Sequence, residues 1–338
     1  MDKVNIAVVG ATGMVGKEII DILQQRQLPI DELRLLASKK SAGTVVSFKS
    51  ETLKVQELTE QSFEGIDIAL FSAGGSISER FAPIAVKAGA VVVDNTSFFR
   101  MHDNVPLVVP EVNGHVIKQH KGIIANPNCS TAQLVMALKP IHDYATIKRL
   151  VISTYQSVSG AGKEAVMELE THSRYLMAGK DAEPKEFLHP MPFNVIPQID
   201  VFEDNGYTKE EMKMINETQK ILESSIAISA TAVRVPVFVS HAEAVNIETQ
   251  KPVDVATFKQ LLADFPGVQV LDDPAENEYP TPRSAAGQDD VFVGRIRQDQ
   301  SHPNTLDCWV VADNLRKGAA LNAVQIAEEL VKQRVAVG

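Results

Sequence analysis

Three observations predict an α/β fold with a doubly wound parallel sheet, followed by a second, α+β domain with a mixed sheet. The chain opens with a short apolar run, a glycine-rich turn and a helical pattern. Short apolar strands then alternate with helices to about residue 125, which is the pattern of a parallel sheet covered by helices. After about residue 150, longer strand-like runs replace this alternation. Because 338 residues are too many for one comfortable core, two domains are expected.

The first unit of this pattern is a strand, a glycine turn and a helix. Residues 4–9 read VNIAVV, a buried strand by length and composition, and residues 17–24 place apolar side chains at helical spacing. The turn between them, GATGMVG at residues 10–16, has the form G-x-x-G-x-x-G. Its glycines let the backbone approach a pyrophosphate, and the helix N-terminus supplies amides and a positive dipole. A Rossmann-like dinucleotide site is predicted here; the alternative is a tight turn that binds no ligand.

The end of the second strand bears on the choice of cofactor. That strand is predicted at residues 32–37, and the sequence SKKSAG follows it. NAD-binding domains usually carry an Asp or Glu at this place for the ribose hydroxyls. The side chains of Ser38, Lys40 and Ser41 suit a 2′-phosphate instead, so NADP is favoured over NAD. The alternative is a solvated lysine pair on a loop.

The remaining pattern gives the domain organisation. The first sheet is predicted to add a helix and three strands, at residues 77–88, 66–71, 90–94 and 123–125. The second domain is predicted to hold strands at residues 150–156, 227–239, 244–248, 291–296 and 305–311. A helical pattern at residues 318–335 is expected to return to the first domain. We therefore expect one domain from residues 1–128 with 316–338, and a second from residues 129–315.

The bulk composition argues against several classes of function. A formal net charge of -10 disfavours nucleic acid as a partner. No segment approaches the apolar length needed to cross a bilayer, and the opening residues MDKVN do not resemble a signal peptide. Two cysteines cannot form a disulfide framework in a chain of this size, so a reducing, cytoplasmic location is expected. No metal is expected.

One of the two cysteines, Cys129, lies at a predicted helix N-terminus. It stands in NPNCST at residues 126–131, where Asn128 is a good N-cap for a helix predicted over residues 130–138 and ending near Pro140. The dipole and free amides at such a position favour the thiolate, which is the nucleophilic form, and could stabilise an oxyanion on an attacked carbonyl. The alternative is a buried cysteine that acts as a small hydrophobe. Polar neighbours on both sides favour the nucleophile.

A nucleophilic cysteine beside a nicotinamide cofactor indicates one class of reaction. A thiolate adds to an aldehyde, a hydride leaves to the cofactor, and water or phosphate takes up the resulting thioester's acyl group. Activation of the thiol calls for a base. His241 is the candidate, in RVPVFVSHAE at residues 234–243, where Arg234 and His241 are expected to bracket an apolar strand; the alternative is that both are surface residues. Cys308 lies in a predicted strand and is expected to be a packing residue.

Seven motifs occur in order along almost the whole chain. They are GATGMVG at 10–16, SFFRM at 97–101, NPNCST at 126–131, TYQSVSGAG at 154–162, FNVIPQID at 193–200, RVPVFVSHAE at 234–243 and DNLRKGAALNAVQIAE at 313–328. With these motifs the chain resembles the bacterial aspartate-β-semialdehyde dehydrogenases. The resemblance implies a reversible, NADPH-dependent reduction of 4-phospho-L-aspartate to L-aspartate 4-semialdehyde, which feeds the synthesis of lysine (through diaminopimelate), methionine and threonine. It also implies an NADP-binding first domain, and a homodimer whose second domain carries catalysis and the subunit interface.

The resemblance also implies roles for residues that react with or bind the substrate. Cys129 would form the acyl-enzyme, His241 would be its acid/base partner, and Gln156 would orient the substrate near the thioester. Arg234 would hold the α-carboxylate in a bidentate pair. Glu210 would contact the amino group, with the adjacent Glu211 as the alternative.

Further positions match residues that bind phosphate or cofactor in these enzymes. Those for phosphate are Arg100, Asn128 and Lys213. Those for cofactor are Gly10, Thr12, Gly13, Met14, Val15, Ser38, Lys40, Ser41, Ser159, Gly160 and Asn314. One departure concerns Lys40, where relatives often have arginine; a lysine can still meet a 2′-phosphate as a point charge.

Three rival functions remain at this stage. N-acetyl-glutamyl-phosphate reductase would use the same chemistry on a longer substrate, although SFFR and the segment from RVPV to His241 fit the aspartate enzyme better. A glyceraldehyde-3-phosphate-type enzyme is more distant. A catalytically silent NADP-binding protein should lack the nucleophile or the base, and this chain has both Cys129 and His241.

Overall fold

The chain divides into two compact units. The structure, a computed structural model, describes residues 3–337. The first unit contains the residues up to Asn128 together with those from Ala319 onward, and the second unit contains Cys129–Gly318.

Fourteen strands and nine α-helices are described within residues 3–337. The strands are β1 Val4–Val9, β2 Ile30–Ala37, β3 Val45–Phe48, β4 Glu51–Lys54, β5 Gln56–Glu57, β6 Ile68–Phe71, β7 Val91–Asp94, β8 Ile123–Ala125, β9 Ile147–Gln156, β10 Ala227–Arg234, β11 His241–Thr249, β12 Val268–Val270, β13 Val291–Gln298 and β14 Thr305–Ala312. The helices are α1 Met14–Gln25, α2 Gly75–Lys87, α3 Pro110–Asn113, α4 Cys129–Ala145, α5 Lys163–Met177, α6 Lys209–Ile221, α7 Val255–Ala263, α8 Pro282–Ala285 and α9 Leu321–Val337.

The first unit is built on a parallel sheet of six strands in the order β5-β2-β1-β6-β7-β8. The chain leaves β1 towards β2 and later returns to the other side of β1 with β6, so the sheet is doubly wound and the predicted fold class is confirmed. This reversal is the topological switch point at which such sheets bind ligands. The strands β3 and β4 form a separate antiparallel pair.

The glycine turn after β1 lies at this switch point, and its spacing has a steric reason. Gly10 has φ +89°, and a Cβ on it would come within 2.9 Å of the backbone of Ser72, which follows β6. A Cβ on Gly16 would come within 2.1 Å of the carbonyl oxygen of Gly10, so only glycine lets α1 pack this closely on the turn. The helix begins at Met14 rather than at residue 17 as predicted, because Gly13 already takes the extended N-cap conformation.

The core of the first unit joins the two ends of the chain. One apolar cluster contains strand residues such as Ile6 and Val8 together with Leu321, Val324 and Leu330 of α9. The mainly apolar inner face of α9 therefore completes the core around β1.

The second unit is built on a mixed sheet in the order β10-β9-β11-β14-β13-β12. The pairs β9–β10 and β12–β13 are parallel, and the others are antiparallel. The helices α4, α6 and α7 pack on one face. Side chains along β9, β11 and β14 alternate between this buried face and a more exposed one.

Two elements of the second unit end about five residues from the predicted position. The helix that begins at Cys129 continues through Pro140 to Ala145. A proline removes one helical hydrogen bond, but Leu138 and Ile141 on either side are fully buried, and their burial outweighs that loss.

The strand predicted over residues 227–239 ends at Arg234. Pro236 has no N–H to donate to a neighbouring strand, and the chain leaves the sheet until β11 begins at His241. Arg234 and His241 therefore do not bracket one strand: the first ends β10 and the second begins β11. Within residues 3–337, no helix has both the length and the apolar character that a membrane span requires.

Candidate active site

The second unit brings Cys129 and His241 into direct contact. Cys129 is the first residue of α4 and is partly exposed, so its sulfur lies at the positive end of the helix dipole. His241 is the first residue of β11 and is fully buried. Its Nε2 lies 3.2 Å from Sγ of Cys129, which is a hydrogen-bond distance for sulfur. Residues 112 positions apart in sequence thus form the predicted nucleophile–histidine pair.

The surroundings of His241 fix its charge and its tautomer. Burial lowers its pKa to about 3, and the nearby positive charge of Arg234 acts in the same direction, so the ring is neutral. The backbone N–H of Ser157 donates to Nδ1 at 3.0 Å. Because a backbone N–H can only donate, Nδ1 carries no proton and the proton of the neutral ring is on Nε2. Nε2–H therefore donates to Sγ of Cys129, and the sulfur accepts.

A buried network supports the other side of the imidazole. Oδ1 of Asn314 accepts from the backbone N–H of Ser240 at 2.8 Å, from Oγ of Ser159 at 3.1 Å and from Oγ of Ser157 at 3.2 Å. The Ser157 hydroxyl is also 3.1 Å from Nδ1 of His241. Ser159 and Asn314, which the sequence predicts to contact cofactor, therefore have side chains engaged in holding the histidine segment.

Gln156 and Glu210 meet at the end of β9. Gln156 is the last residue of that strand and is buried, and its Nε2 donates to Oε1 of Glu210 at 3.3 Å. The adjacent Glu211 is occupied elsewhere: Oε2 accepts from the backbone N–H of Thr208 in a capping box, and Oε1 accepts from the backbone N–H of Ala232. The geometry therefore puts Glu210, and not Glu211, beside Gln156.

Lys213 completes an ionic cluster with Glu210. Its Nζ lies 2.9 Å from Oδ2 of Asp200 and 3.2 Å from Oε2 of Glu210. Burial lowers the pKa of Lys213, but the two carboxylates outweigh this effect and raise it. The ammonium is thus charged, and it retains some exposure to solvent.

Arg234 lies between this cluster and the histidine. It ends β10 directly opposite Gln156 in the sheet register, and its Nη1 donates to the carbonyl of Ser157 at 2.7 Å. Burial lowers the pKa of Arg234, while the charges of Glu210 and of Cys129 oppose that change. The guanidinium stays protonated at neutral pH. A Cβ placed on Gly160 would come within 3.0 Å of Nη1 of Arg234 and 3.3 Å of Nε2 of His241.

Gly318 fits against the nucleophile itself. A Cβ on this glycine would come within 2.8 Å of Cβ and 3.1 Å of Cα of Cys129. The first turn of α4 can hold the thiol in place only because no side chain stands there. Gly318 lies in the motif DNLRKGAALNAVQIAE, but nothing in the sequence indicates its contact with Cys129.

The first unit contains the other two residues predicted to bind phosphate. The guanidinium of Arg100 is mostly buried and donates to the carbonyls of Asn126 and Asn95, at 2.9 and 3.0 Å. These carbonyls orient the arginine. Asn128 is also buried.

The predicted dinucleotide-binding positions lie at the ends of β1 and β2. Gly13 is the N-cap of α1. Met14 and Val15 therefore lie in the first turn of the helix, and Thr12 lies just before the N-cap. After β2, a turn closed by the N–H of Ser41 on the carbonyl of Ser38 leaves Ser38 and Lys40 exposed.

Sequence reasoning assigned no role to four polar residues of the second unit. Ser157 fixes the histidine tautomer, Asp200 pairs with the lysine, and a buried pair of Gln133 and Glu243 lies next to His241. Only Glu243 carried a usable signal, because a residue two positions after His241 in a strand shares its face. Among residues 3–337, no group of three or more His, Cys, Asp or Glu side chains is arranged to hold a metal ion.

Comparison with known families divides the chain at a similar place. The family model described as "Semialdehyde dehydrogenase, NAD binding domain" matches residues 5–120. The model described as "Semialdehyde dehydrogenase, dimerisation domain" matches residues 138–317.

Individual relatives are similar to this chain over nearly its full length. The chain is 54% identical to the aspartate-semialdehyde dehydrogenase of Aquifex aeolicus, over 97% of this chain and 98% of that protein. It is similar to the crystal structure of aspartate semialdehyde dehydrogenase II from Vibrio cholerae complexed with ASA, with a TM-score of 0.96 and 50% identity, covering 98% of this chain and 99% of that one. The Candida albicans enzyme with NADP is 28% identical with a TM-score of 0.76, covering 97% and 98% of the two chains. The chain belongs to the aspartate-semialdehyde dehydrogenase family.

Proposed function

We propose that this protein catalyses the reversible, NADPH-dependent reduction of 4-phospho-L-aspartate to L-aspartate 4-semialdehyde through a thioester on Cys129. The observation that carries the proposal is the Cys129–His241 contact at the start of α4. The relatives of this chain include aspartate-semialdehyde dehydrogenases, and the crystal structure of one such enzyme is complexed with ASA. The product would supply lysine, methionine and threonine synthesis. A cytoplasmic location suits a catalytic thiol that must stay reduced.

Three groups would hold Cys129 as the thiolate. The N-terminus of α4 places a partial positive charge at the sulfur. Nε2–H of His241 donates a hydrogen bond to it, and the charge of Arg234 attracts it. In this arrangement His241 acts chiefly as a donor, on the acid side of its predicted acid/base role.

In the reductive direction the thiolate attacks the acyl carbon of the acyl phosphate. A C–S bond forms, and the C–O bond to phosphate breaks, with its electron pair leaving on phosphate. Bound NADPH would supply the hydride that reduces the thioester carbon. The tetrahedral oxyanion then re-forms its carbonyl as the C–S bond breaks, and Cys129 leaves as the thiolate. Nε2–H of His241 lies beside the sulfur and would help to stabilise that oxyanion.

The remaining residues bind and orient the substrate. Arg234 would pair with the α-carboxylate and Glu210 with the amino group, which matches each group with an opposite charge. Lys213, Arg100 and Asn128 would bind phosphate. The amide of Gln156, already directed at Glu210, would orient the substrate next to the thioester.

The first unit fits NADP. Gly10 and Gly16 let the turn pack tightly against Ser72 and α1, so the N-terminus of α1 is held next to the turn, where a pyrophosphate would lie. The exposed Ser38 and Lys40 after β2 would meet the 2′-phosphate, and Ser41 closes that turn.

The experiment that tests this function follows the absorbance of reduced nicotinamide with aspartate semialdehyde, phosphate and NADP⁺. We expect NADPH formation that requires phosphate, and a slower reaction when NAD⁺ replaces NADP⁺. N-acetylglutamate semialdehyde serves as the matched alternative substrate. A higher kcat/KM with that substrate would assign the chain to the rival reductase, and no turnover with either would refute the proposal.

Glycine at position 160 is expected to be essential to the geometry of the site. In Gly160→Ala, the new methyl group would crowd both Arg234 and His241 and displace the groups that act on the thiolate. We expect kcat/KM to fall about 10- to 100-fold with little loss of stability. Gly114→Ala is the control, since a Cβ on Gly114 would meet no atom within 4 Å and its φ is helical. Equal activities of the two variants would contradict this account of the site.

We also propose that the exposed face of the mixed sheet pairs with a second copy of the chain. Helices cover the opposite face, whereas this face carries Tyr155 against Trp309, with ring centroids 5.3 Å apart. A cavity of about 530 Å³ lies along it, lined among others by Val151, Ser153 and Trp309. The matching dimerisation-domain model includes these strands, which supports a homodimer.

A charge placed in this face should separate the subunits. We expect the wild type to sediment as a dimer. Ser153→Arg should shift the protein towards monomer, because Ser153 lines the cavity and a bulky side chain there would prevent close packing of a second copy. Gln260→Arg on the exposed side of α7 is the matched control. A monomeric wild type, or a Ser153→Arg variant that dimerises normally, would rule this surface out.

A further inference from the structure

A second pair of polar side chains lies next to Cys129 and His241, and the proposed reaction does not use it. Gln133 is one helical turn after Cys129 on α4, and Glu243 is two residues after His241 on β11. Each therefore shares a face with its reactive neighbour. Both side chains are fully buried.

Three acceptor atoms of this pair lack a donor. Neither carboxyl oxygen of Glu243 nor Oε1 of Gln133 has a hydrogen-bond partner among the described residues. Nε2 of Gln133 donates to the carbonyl of His241 at 3.4 Å; since that carbonyl can only accept, the orientation of the amide is fixed. The Gln133 side chain is close enough to the Glu243 carboxyl to lower its pKa, but burial has the larger effect and raises that pKa. One proton on Glu243 would supply the missing donor.

The other neighbours of Glu243 offer no compensating positive charge. Thr154 and Val310 lie opposite it on β9 and β14. The titratable groups on the same face are His241 and the thiol of Cys308, both buried. Burial raises the pKa of Glu243 well above its ordinary value, raises that of Cys308 and lowers that of His241. All three groups are therefore expected to be neutral, and an ionised Glu243 would be an isolated buried charge.

We infer that Glu243 is a neutral carboxylic acid whose O–H donates to Oε1 of Gln133, and that this bond positions α4 against β11 so that Cys129 meets His241. Glu243 is thus a positioning residue. The effect on rate rests on the proposed function, whereas the protonation does not.

Protonation is tested on Glu243→Gln without any assay of activity. The infrared difference spectrum, wild type minus variant, should contain the carbonyl band of a protonated carboxylic acid at neutral pH. On unfolding at pH 7 the wild type should release about one proton more than the variant. The sign follows from the raised pKa of Glu243. Its contribution to stability is complete below its ordinary pKa and is lost as pH rises. The stability of the variant relative to the wild type should therefore increase towards high pH. A carboxylate band, or the opposite trend, would overturn the inference.

Positioning is tested by comparing Glu243→Gln with Glu243→Met. The glutamine can still donate to Oε1 of Gln133 and should keep kcat and the pH dependence of Cys129 alkylation. The methionine fills the space but cannot donate, so kcat should fall about 10- to 100-fold at unchanged KM, and the alkylation profile should shift. Val245→Ala, on the same face, controls for packing and should leave the profile unchanged. A Glu243→Met variant with wild-type kcat and profile, or a Glu243→Gln variant as impaired as the methionine variant, would overturn the positioning role.

Discussion

Cys129→Ala is expected to lower phosphate-dependent NADPH formation by about 10⁴-fold or more, because it removes the sulfur that would form the acyl-enzyme in the proposed mechanism. Sγ lies at the start of α4, against Nε2 of His241. A methyl group there cannot form the thioester, although substrate and cofactor should still bind. The measurement is the rate of NADPH formation from aspartate semialdehyde, phosphate and NADP⁺ at saturating concentrations.

Cys308→Ala is the matched control. Cys308 lies in β14, fully buried, and burial together with the charge of Asp307 raises its pKa, so it is a packing thiol. Its loss should cost about 1 kcal/mol of stability and leave kcat within about threefold. If Cys129→Ala kept substantial activity, or if both variants lost it equally, the assignment of the nucleophile would be wrong.

His241→Ala is expected to lower kcat by about 10² to 10⁴-fold. The change removes the N–H that donates to the sulfur and leaves the buried backbone N–H of Ser157 without its acceptor. Alkylation of Cys129 at neutral pH should slow in the same variant, since less of the thiol is ionised. His241→Gln should be less impaired than His241→Ala, because its amide can still donate towards Sγ.

Ser240→Ala is the control for local damage beside the histidine. Its hydroxyl has no hydrogen-bond partner among the described residues, and the backbone N–H that bonds Asn314 is unchanged. This variant should keep wild-type kcat and alkylation rate. A fast-alkylating His241→Ala variant would show that the histidine does not stabilise the thiolate.

Local signals in the sequence predicted much of the fold. The apolar run of β1, the glycine turn and the helix after it depend on nearby residues, and the structure has them at almost the predicted places. The error at Pro140 arose from the wider surroundings, whereas the error beyond Arg234 had a local cause, because Pro236 cannot donate to a neighbouring strand. Burial on both sides carries α4 through its proline, whereas the apolar residues after Arg234 leave the sheet.

The contacts of the site were less accessible from sequence than its residues. Motifs singled out Cys129 and His241, but only the packing of α4 against β11 in the folded structure brings Nε2 to the sulfur. The choice between Glu210 and Glu211 depended on one helical position, because Glu211 caps α6 and bonds Ala232. Glu243 ends the motif RVPVFVSHAE, but no motif indicates its pairing with Gln133, since the meaning of the pair lies in a missing donor that only the folded structure reveals.

The central claim is a thioester on Cys129, and a single-turnover measurement without phosphate tests it most directly. Enzyme is mixed with aspartate semialdehyde and NADP⁺ in phosphate-free buffer, NADPH is followed, and the quenched protein is digested for mass spectrometry. We predict a burst of NADPH approaching one per active site, an aspartyl group on the Cys129 peptide, and steady turnover once phosphate is added. Steady turnover without phosphate, or a burst that leaves Cys129 unmodified, would contradict the account.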